Sequence, residues 1–295
     1  MTGYRTDLAM ERTVLPGGAG EGVMVDTRRH GEMQTTRVRI ETDTAARRLG
    51  KPCGVYWTLR HPRLPMLDPE ERMTIAREVS QMLRLLLPPR GDVLVLGLGN
   101  RHMTADALGD RVVSGILVTR HLKQENMRGV CAMAPGVLGI TGVETAELAL
   151  GLTEKLKPAA VIVIDALAAM DTDNICTTIQ LTDTGICPGS GVGNHRLGID
   201  AEFLHVPVIA IGIPMVVYAS TIVRDALTKI LVRESPPEKA ETMAEELSGV
   251  AEQDLVVTPR NIDELVQGLA DMLALAINAA LQNDVSLEEL SHLLH

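Results

Sequence analysis

Two aspartates follow apolar runs that are typical of buried parallel strands. Asp165 comes directly after residues 161–164, and Asp106 lies in the glycine-rich stretch 97–109, which follows residues 93–96. In an open parallel sheet, the loops at the carboxyl ends of the strands meet at the binding crevice. Two carboxylates brought together there can share one proton: one takes a proton from water, while the other protonates the carbonyl or the leaving group. Such a pairing would suit peptide hydrolysis without a metal ion or a nucleophilic side chain.

A simpler role is open for each aspartate, because an aspartate at the end of a strand is often the N-cap of the next helix. Asp106 stands just before Ala107 and Leu108, where a helix is expected. Asp165 follows four apolar residues, where burial would raise the pKa of its carboxyl unless another group compensates. The sequence alone leaves the structural and the catalytic roles open for both residues.

A second glycine-rich stretch, residues 182–194, carries four glycines and a proline within nine residues. Its backbone is expected to approach a ligand or another loop closely, although a purely structural turn would have the same composition. We predict that a substrate groove is formed by residues from this stretch and from the first loop, namely His102, Asp183, Gly189, Ser190 and Gly191.

The familiar cofactor and metal motifs do not fit this chain. The dinucleotide fingerprint needs glycine at the first, third and sixth positions of its turn, and His102 occupies a position that requires glycine. The sequence has no Gly-Lys-Ser/Thr loop and no His-Glu-x-x-His pair. Gly189-Ser190-Gly191 lacks the preceding strand of a nucleophile elbow, and Cys187 is more simply a small packed thiol. We expect no cofactor and no bound metal.

Composition narrows the class of protein further. The chain has 295 residues, a net charge of −10 and 2% aromatic residues, which disfavours nucleic-acid binding. The charged N-terminus is unlike a secretory signal, and no uninterrupted apolar run reaches the roughly 20 residues of a membrane helix. Four widely spaced cysteines indicate reduced thiols in a cytoplasmic protein. We predict one domain over residues 1–295, with a mobile acidic excursion at residues 234–254.

Strand-like and helical patterns alternate along the middle of the chain, which predicts an α/β fold with a mainly parallel sheet flanked by helices on both faces. Strands are also expected at residues 37–41 and 55–59. Asp68 and Pro69 begin a helix, and Thr141 is expected to cap another. A long helix follows Pro259.

Several long motifs occur in one order along the chain: LGKPCGVYWTL, VLGLGN, TADALG, APGVLGITGVETAE, VIVIDALAA, TIQLTDTGICPGSGVGN and PVIAIGIPMVV. By these motifs the chain resembles the germination proteases of endospore-forming bacteria. The resemblance implies an endopeptidase that initiates degradation of small acid-soluble spore proteins during germination, cutting after an acidic residue. It also implies a homotetrameric, self-processing zymogen and a fold similar to that of hydrogenase-maturation proteases. The family is regarded as atypical aspartic peptidases, and its two catalytic aspartates fall on Asp106 and Asp165.

The N-terminus imitates the sequence that this family cuts. The resemblance implies an acid before the bond, an apolar residue after it and then alanine, as in Asp7, Leu8 and Ala9. We predict that the bond between Asp7 and Leu8 is cut and that residues 1–7 are a propeptide. The bond should lie in an accessible, extended terminus; an ordinary solvated strand is the alternative.

The chain departs from the family at several positions. Cys187 stands where the family has histidine, Met170 and Asp171 replace Arg-Ser, and Met215 and Tyr218 replace Thr and Asp. These changes leave the substrate preference open.

Two other functions are also consistent with the sequence. One is a metal-dependent peptidase of the hydrogenase-maturation type, with the acids and His102 as ligands. The other is a module that binds a small ligand or anion through its glycine-rich loops.

Overall fold

Strands from most of the chain hydrogen-bond into one sheet. The computed structural model describes residues 6–15, 17–122, 127–187, 197–231, 243 and 255–282. In this part of the chain, nine strands are arranged in the order β1-β2-β3-β7-β8-β6-β4-β5, with β9 paired to β8. The strands are β1 (Val23–His30), β2 (Met33–Ile40), β3 (Gly54–Arg60), β4 (Val93–Gly97), β5 (Val130–Met133), β6 (Ala160–Ala169), β7 (Thr178–Thr182), β8 (Val208–Tyr218) and β9 (Val256–Val257).

The sheet is parallel on one side and antiparallel on the other. β5, β4, β6 and β8 pair in parallel, whereas β1, β2, β3 and β7 pair antiparallel, and β7 joins antiparallel to β8. The predicted α/β class is confirmed, but the sheet is mixed rather than mainly parallel. One reason is local: only residues 31 and 32 separate β1 from β2, and so short a link can form only a hairpin.

Helices cover both faces of the sheet, as predicted. The described helices are α1 (Ala9–Thr13), α2 (Asp43–Leu49), α3 (Pro69–Leu86), α4 (Leu108–Ser114), α5 (Leu138–Thr141), α6 (Thr145–Leu156), α7 (Ala201–Leu204), α8 (Ala219–Leu231) and α9 (Ile262–Leu281). The largest apolar cluster joins α3, α4 and α9 to one face. On the other face, α6 and α7 pack over β4 and β6, while α1 and α2 pack over β2 and β3.

Two helix starts predicted from the sequence can be compared with the structure. Asp68 caps α3 as predicted: its carboxylate accepts from Glu71 N at 2.8 Å, and the Glu71 carboxylate accepts from Asp68 N at 3.1 Å. The predicted start at Thr141 is wrong. The Thr141 hydroxyl instead donates to Val137 O at 3.2 Å within the short helix α5, so α6 begins only at Thr145.

The last described helix, α9, is the central helix of the core. Among the described helices, it alone is long and apolar enough on average to cross a membrane, and 72% of its most apolar window is buried inside the protein. Its buried side includes Asn278, whose amide accepts from Leu117 N and donates to Gly115 O, both at 2.9 Å. These two bonds attach α9 to the chain that follows α4.

Strands β6 and β8 extend well beyond the apolar runs that predicted them. β6 was expected at residues 161–164 and continues to Ala169; β8 continues to Tyr218. Their pairing changes register between Leu167 and Ala168. This β-bulge lies beside the cavity described next.

Candidate active site

A cavity of about 570 Å³ opens on the sheet face that carries α1, α2, α6 and α7. Its lining includes both aspartates that the sequence singled out, Asp106 and Asp165, together with Asp7, Lys51 and Gln180. The structure therefore brings the two predicted catalytic residues to one cavity. We call it the central cavity.

Asp165 lies within β6, and this position rules out a role as a helix N-cap. β4 ends at Gly97, which is paired with Ile164, so Asp165 is the first residue of β6 beyond the end of β4. Its side chain is on the same face as Val163, because alternate residues of a strand share a face, and the residue is only 8% exposed. Asp165 Oδ1 accepts from Ala166 N at 2.9 Å.

Asp106 comes from the loop that continues from β4. It ends the short 3-10 helix Thr104–Asp106, and its Oδ2 accepts from Asn100 N at 2.7 Å. The N-cap position of α4 is Ala107, so Asp106 is not the cap of that helix. Gly99 makes the loop possible: its φ is +102°, and a Cβ there would lie 1.9 Å from the Asp106 carbonyl oxygen.

Residues 6–13, which we call the N-terminal segment, occupy one side of the central cavity. Asp7 N donates to Ala168 O, and Ala168 N donates back to Asp7 Oδ2, both at 2.9 Å. The pairing of β6 with β8 changes register directly before Ala168, because Met215 of β8 is left without a partner in the register. Leu8 is 0% exposed and Ala9 is 1% exposed, so the predicted accessible terminus is not what the structure shows. Asp7, the residue before the predicted cut, lines the cavity, whereas Leu8 is buried and is not among the described residues that line it.

Glu11 fastens the N-terminal segment to the chain that follows β6. Its carboxylate accepts from Met170 N at 2.7 Å, Asp171 N at 2.9 Å and Asn174 Nδ2 at 2.7 Å, and it also contacts the Thr6 hydroxyl. The residue is 2% exposed. Burial raises the pKa of the Glu11 carboxyl, and these hydrogen bonds lower it by less.

Gln180 is a functional candidate that sequence reasoning missed. Its Nε2 donates to the Asp7 carbonyl oxygen at 3.0 Å, and its Oε1 accepts from Ala9 N at 2.7 Å. The available signal was one amide between two apolar residues of β7, Ile179 and Leu181. Nothing in the sequence indicates that this amide meets a segment more than 160 residues away.

Lys51 follows α2 and lines the central cavity beside Asp7. Burial lowers the pKa of the Lys51 ammonium, and the negative charge of Asp7 opposes that change. A cation close to the Asp7 carboxylate favours an acidic side chain at this position.

The structure describes two of the five residues predicted to form a substrate groove. His102 is exposed, its backbone N–H donates to Asn100 Oδ1, and it is not among the described residues that line the central cavity. Asp183 is exposed and accepts from Val55 N at 2.8 Å, which is a structural role at the start of β3. Gly189, Ser190 and Gly191 lie outside the described residues, as do residues 1–5 and nearly all of the predicted excursion at 234–254.

The positions that depart from the family also differ in location. Cys187 and Tyr218 line the central cavity. Met170 binds Glu11 through its backbone, and Met215 is buried beside the thiol of Cys176. Among the described positions at which the resemblance implies a departure, Cys187 and Tyr218 are therefore ones that line the cavity.

The part of the chain that the structure describes contains no group of three or more His, Cys, Asp or Glu side chains placed to hold a metal ion. The central cavity is lined by carboxylates, a cation and the amide of Gln180, and this amide donates to the carbonyl oxygen of Asp7. Carboxylates in that setting can exchange protons with a water molecule and with the peptide.

Comparison with known proteins identifies relatives of the whole chain. A family model described as germination protease matches residues 10–235. The germination protease of Caldanaerobacter subterraneus subsp. tengcongensis is 42% identical, over 99% of this chain and 98% of its own length. The corresponding protein of Clostridium acetobutylicum is 36% identical over 99% of each chain. That of Bacillus cytotoxicus is 33% identical over 95% of this chain and 94% of its own.

Among solved structures, the crystal structure of a [NiFe] hydrogenase maturation protease HycI from Thermococcus kodakarensis KOD1 aligns with 66% of this chain and 98% of its own. The TM-score is 0.35 and the identity 16%. So distant a likeness carries no argument about the site, and the α/β class rests on the sheet and helices themselves.

Proposed function

This chain belongs to the germination protease family, and we propose that it is the endopeptidase that initiates degradation of small acid-soluble spore proteins, hydrolysing the peptide bond after an acidic residue with Asp106 and Asp165. One observation carries the proposal: the central cavity is lined by both aspartates and by Asp7, whose carbonyl oxygen accepts from Gln180 in the same cavity. A peptidase site needs catalytic groups and a bound peptide in one place.

The chemistry follows from the pair of carboxylates. One carboxylate takes a proton from a water molecule as the water oxygen attacks the carbonyl carbon. The other, protonated, donates to the carbonyl oxygen or to the departing nitrogen, so that the C–N bond breaks and an amine leaves. No metal ion and no covalent intermediate is required.

The preference for an acid before the cut is supported by the surroundings of Asp7. Its carboxylate accepts from the Ala168 N–H next to the bulge, and Lys51 lines the same side of the cavity. A hydrogen bond to a carboxylate is stronger than one to a neutral acceptor. An apolar side chain in this position would leave the Ala168 N–H without that partner, and a neutral amide would accept from it more weakly than a carboxylate does.

Self-processing is supported by the same arrangement. Asp7 already lines the cavity, so residues 1–7 would be a propeptide that an intramolecular cut after Asp7 removes. Until then, the N-terminal segment blocks access for other chains, because Leu8 and Ala9 are buried against the sheet.

The proposal extends to a homotetramer in the cytoplasm of the spore, with neither a nucleic acid nor a membrane as partner. The four cysteines all fall in the described part of the chain and are free thiols, which suits a reducing compartment. β1 is an edge strand with exposed Met24 and Val25, and an edge of this kind can pair with another subunit.

The test is to incubate the purified protein with a small acid-soluble spore protein, with and without a chelator, and to identify the new termini by mass spectrometry. We expect cuts after acidic residues that the chelator does not affect. Activity that disappears with the chelator and returns with a divalent metal would support the metal-dependent alternative. Saturable binding of a small ligand or anion without any cleavage would contradict a peptidase.

A further inference from the structure

We propose that Gln180 is a catalytic residue whose Nε2 binds the carbonyl oxygen of the bond that is cut and stabilises the negative charge that develops there. The inference rests on the proposed function, in which Asp7–Leu8 is the first bond cut. It adds a fixed, neutral donor to that oxygen, beside the proton that one of the two carboxyl groups supplies.

The Gln180 amide contacts the peptide on both sides of that bond. Nε2 donates to the carbonyl oxygen of Asp7, the residue before the bond, at 3.0 Å. Oε1 accepts from the N–H of Ala9, two residues later, at 2.7 Å. Only one orientation of the amide makes both bonds, because one of its ends donates and the other accepts. The two contacts therefore fix the register of the peptide.

Gln180 and Asp165 flank the same position of the sheet. Gln180 in β7 and Asp165 in β6 are both register partners of Gly212 in β8. Residues directly paired in neighbouring strands point to the same face, and two strand spacings separate the backbones by about 10 Å. Gly212 has no side chain of its own, and the side chain of Leu167 occupies the space above it, since a Cβ on Gly212 would lie 2.5 Å from Leu167 Cγ. Gln180 and Asp165 therefore line the same cavity on either side of Leu167.

The environment of Gln180 favours this role. The residue is 6% exposed, and its neighbours Ile179 and Leu181 pack into the core on the opposite face. The donor is thus held in place before the reaction.

When water attacks the carbonyl carbon, the carbonyl π electrons move to the oxygen, which then accepts more strongly from Nε2. When the C–N bond breaks, the carbonyl reforms and Gln180 keeps both of its protons. Removing one such donor elsewhere has lowered kcat by about 10²–10³.

Two substitutions test the role. Gln180→Met keeps the length of the side chain and removes the donor, and we expect kcat on a small acid-soluble spore protein to fall about 100-fold or more, with a smaller change in KM. Gln180→Glu should be equally slow at neutral pH and should recover relative to wild type as the pH falls, because a protonated carboxyl can donate again. Gln34→Glu makes the same change on β2, and its pH profile should match that of wild type.

The outcomes separate this inference from the proposed function. If Gln180→Met keeps kcat within about threefold while Asp165→Asn is inactive, the role of Gln180 is wrong and the carboxylate mechanism stands. If Asp165→Asn is also fully active, the proposed function fails. If Gln180→Met does not fold, as judged by thermal unfolding, the Gln180→Glu profile decides: a profile parallel to wild type overturns the inference, and recovery at low pH supports it.

Discussion

Neighbouring groups give the acidic residues of this protein different tasks. Asp183 is exposed and accepts from the backbone of β3, Glu11 is buried and accepts from two backbone N–H groups and an amide, and Asp165 lines the central cavity. The residue type is nearly the same in each case. Burial and the available donors decide whether the group holds structure together or faces a substrate.

Glu11 gives a prediction on pH at the scale of one residue. Burial raises the pKa of its carboxyl above the ordinary 4.5, so the folded state binds a proton more readily than the unfolded state. The stability that Glu11 lends to the N-terminal segment is therefore full below pH 4.5 and is lost as the pH rises through the folded pKa. Hydrogen-exchange protection factors of residues 6–13 should be larger at acidic than at neutral pH, and Glu11→Gln should keep them large at both.

Glu21 provides the control for that measurement, because it is exposed in a turn outside the N-terminal segment. Glu21→Gln should leave the pH dependence of protection as it is in wild type. Protection of residues 6–13 that increases from acidic to neutral pH in wild type would show that the charged form of Glu11 is the one that docks.

At the scale of elements, α9 gives a prediction about stability. Asn278 is 1% exposed and satisfies Leu117 N and Gly115 O. Asn278→Leu keeps the size of the side chain and leaves both backbone groups without that partner, so we expect the free energy of unfolding to fall by about 2–4 kcal/mol. Chemical denaturation measures the change.

The exposed side of the same helix provides the comparison. Gln267 bonds to Arg111 and Asp271 at the surface, and Gln267→Ala should change the free energy of unfolding by less than about 0.5 kcal/mol. Equal effects of the two substitutions would contradict the role given to Asn278.

Elements with a local cause were predictable from the sequence, and elements set by distant pairing were not. α3 has its cap, its proline and its acidic first turn within four residues, and β4 is a short apolar run. The continuation of β6 past Asp165 depends on β8 beside it, and the place of Gln180 depends on β7 pairing with β3 and β8. Such pairings join residues far apart in sequence, and no short pattern encodes them.

The same distinction applies to the candidate site. Asp106 and Asp165 were found because each follows an apolar run, which is a local signal. The docking of Asp7 against Ala168 was not foreseen, because it depends on a bulge whose position follows from the register between two strands. The motif at Asp7 and Leu8 predicted a cleavage site. It gave no indication that Asp7 would dock against β6.

The assembly is a prediction at the scale of the whole molecule. Every residue of β1 after Val23 is exposed. Among the strands of the described residues, β1 pairs only with β2, so its other edge can bind a second chain. We expect light scattering coupled to size exclusion to give four times the 31.8 kDa of one chain. Met24→Glu should reduce that mass by placing a charge on the exposed edge, whereas a wild-type monomer at working concentration would contradict the tetramer.

The central claim is that Asp106 and Asp165 together cut the bond after an acidic residue, and the most direct test is the N-terminus of the protein itself. Intact-mass measurement after incubation at mildly acidic pH should show wild type beginning at Leu8, while Asp106→Asn and Asp165→Asn remain uncut, with rates lower by at least about 100-fold. Asp110→Asn is the matched control, because Asp110 lies on α4 outside the cavity and pairs there with Arg101. The Asp110→Asn variant should be processed at the wild-type rate. Full processing of either the Asp106 or the Asp165 variant would contradict the claim.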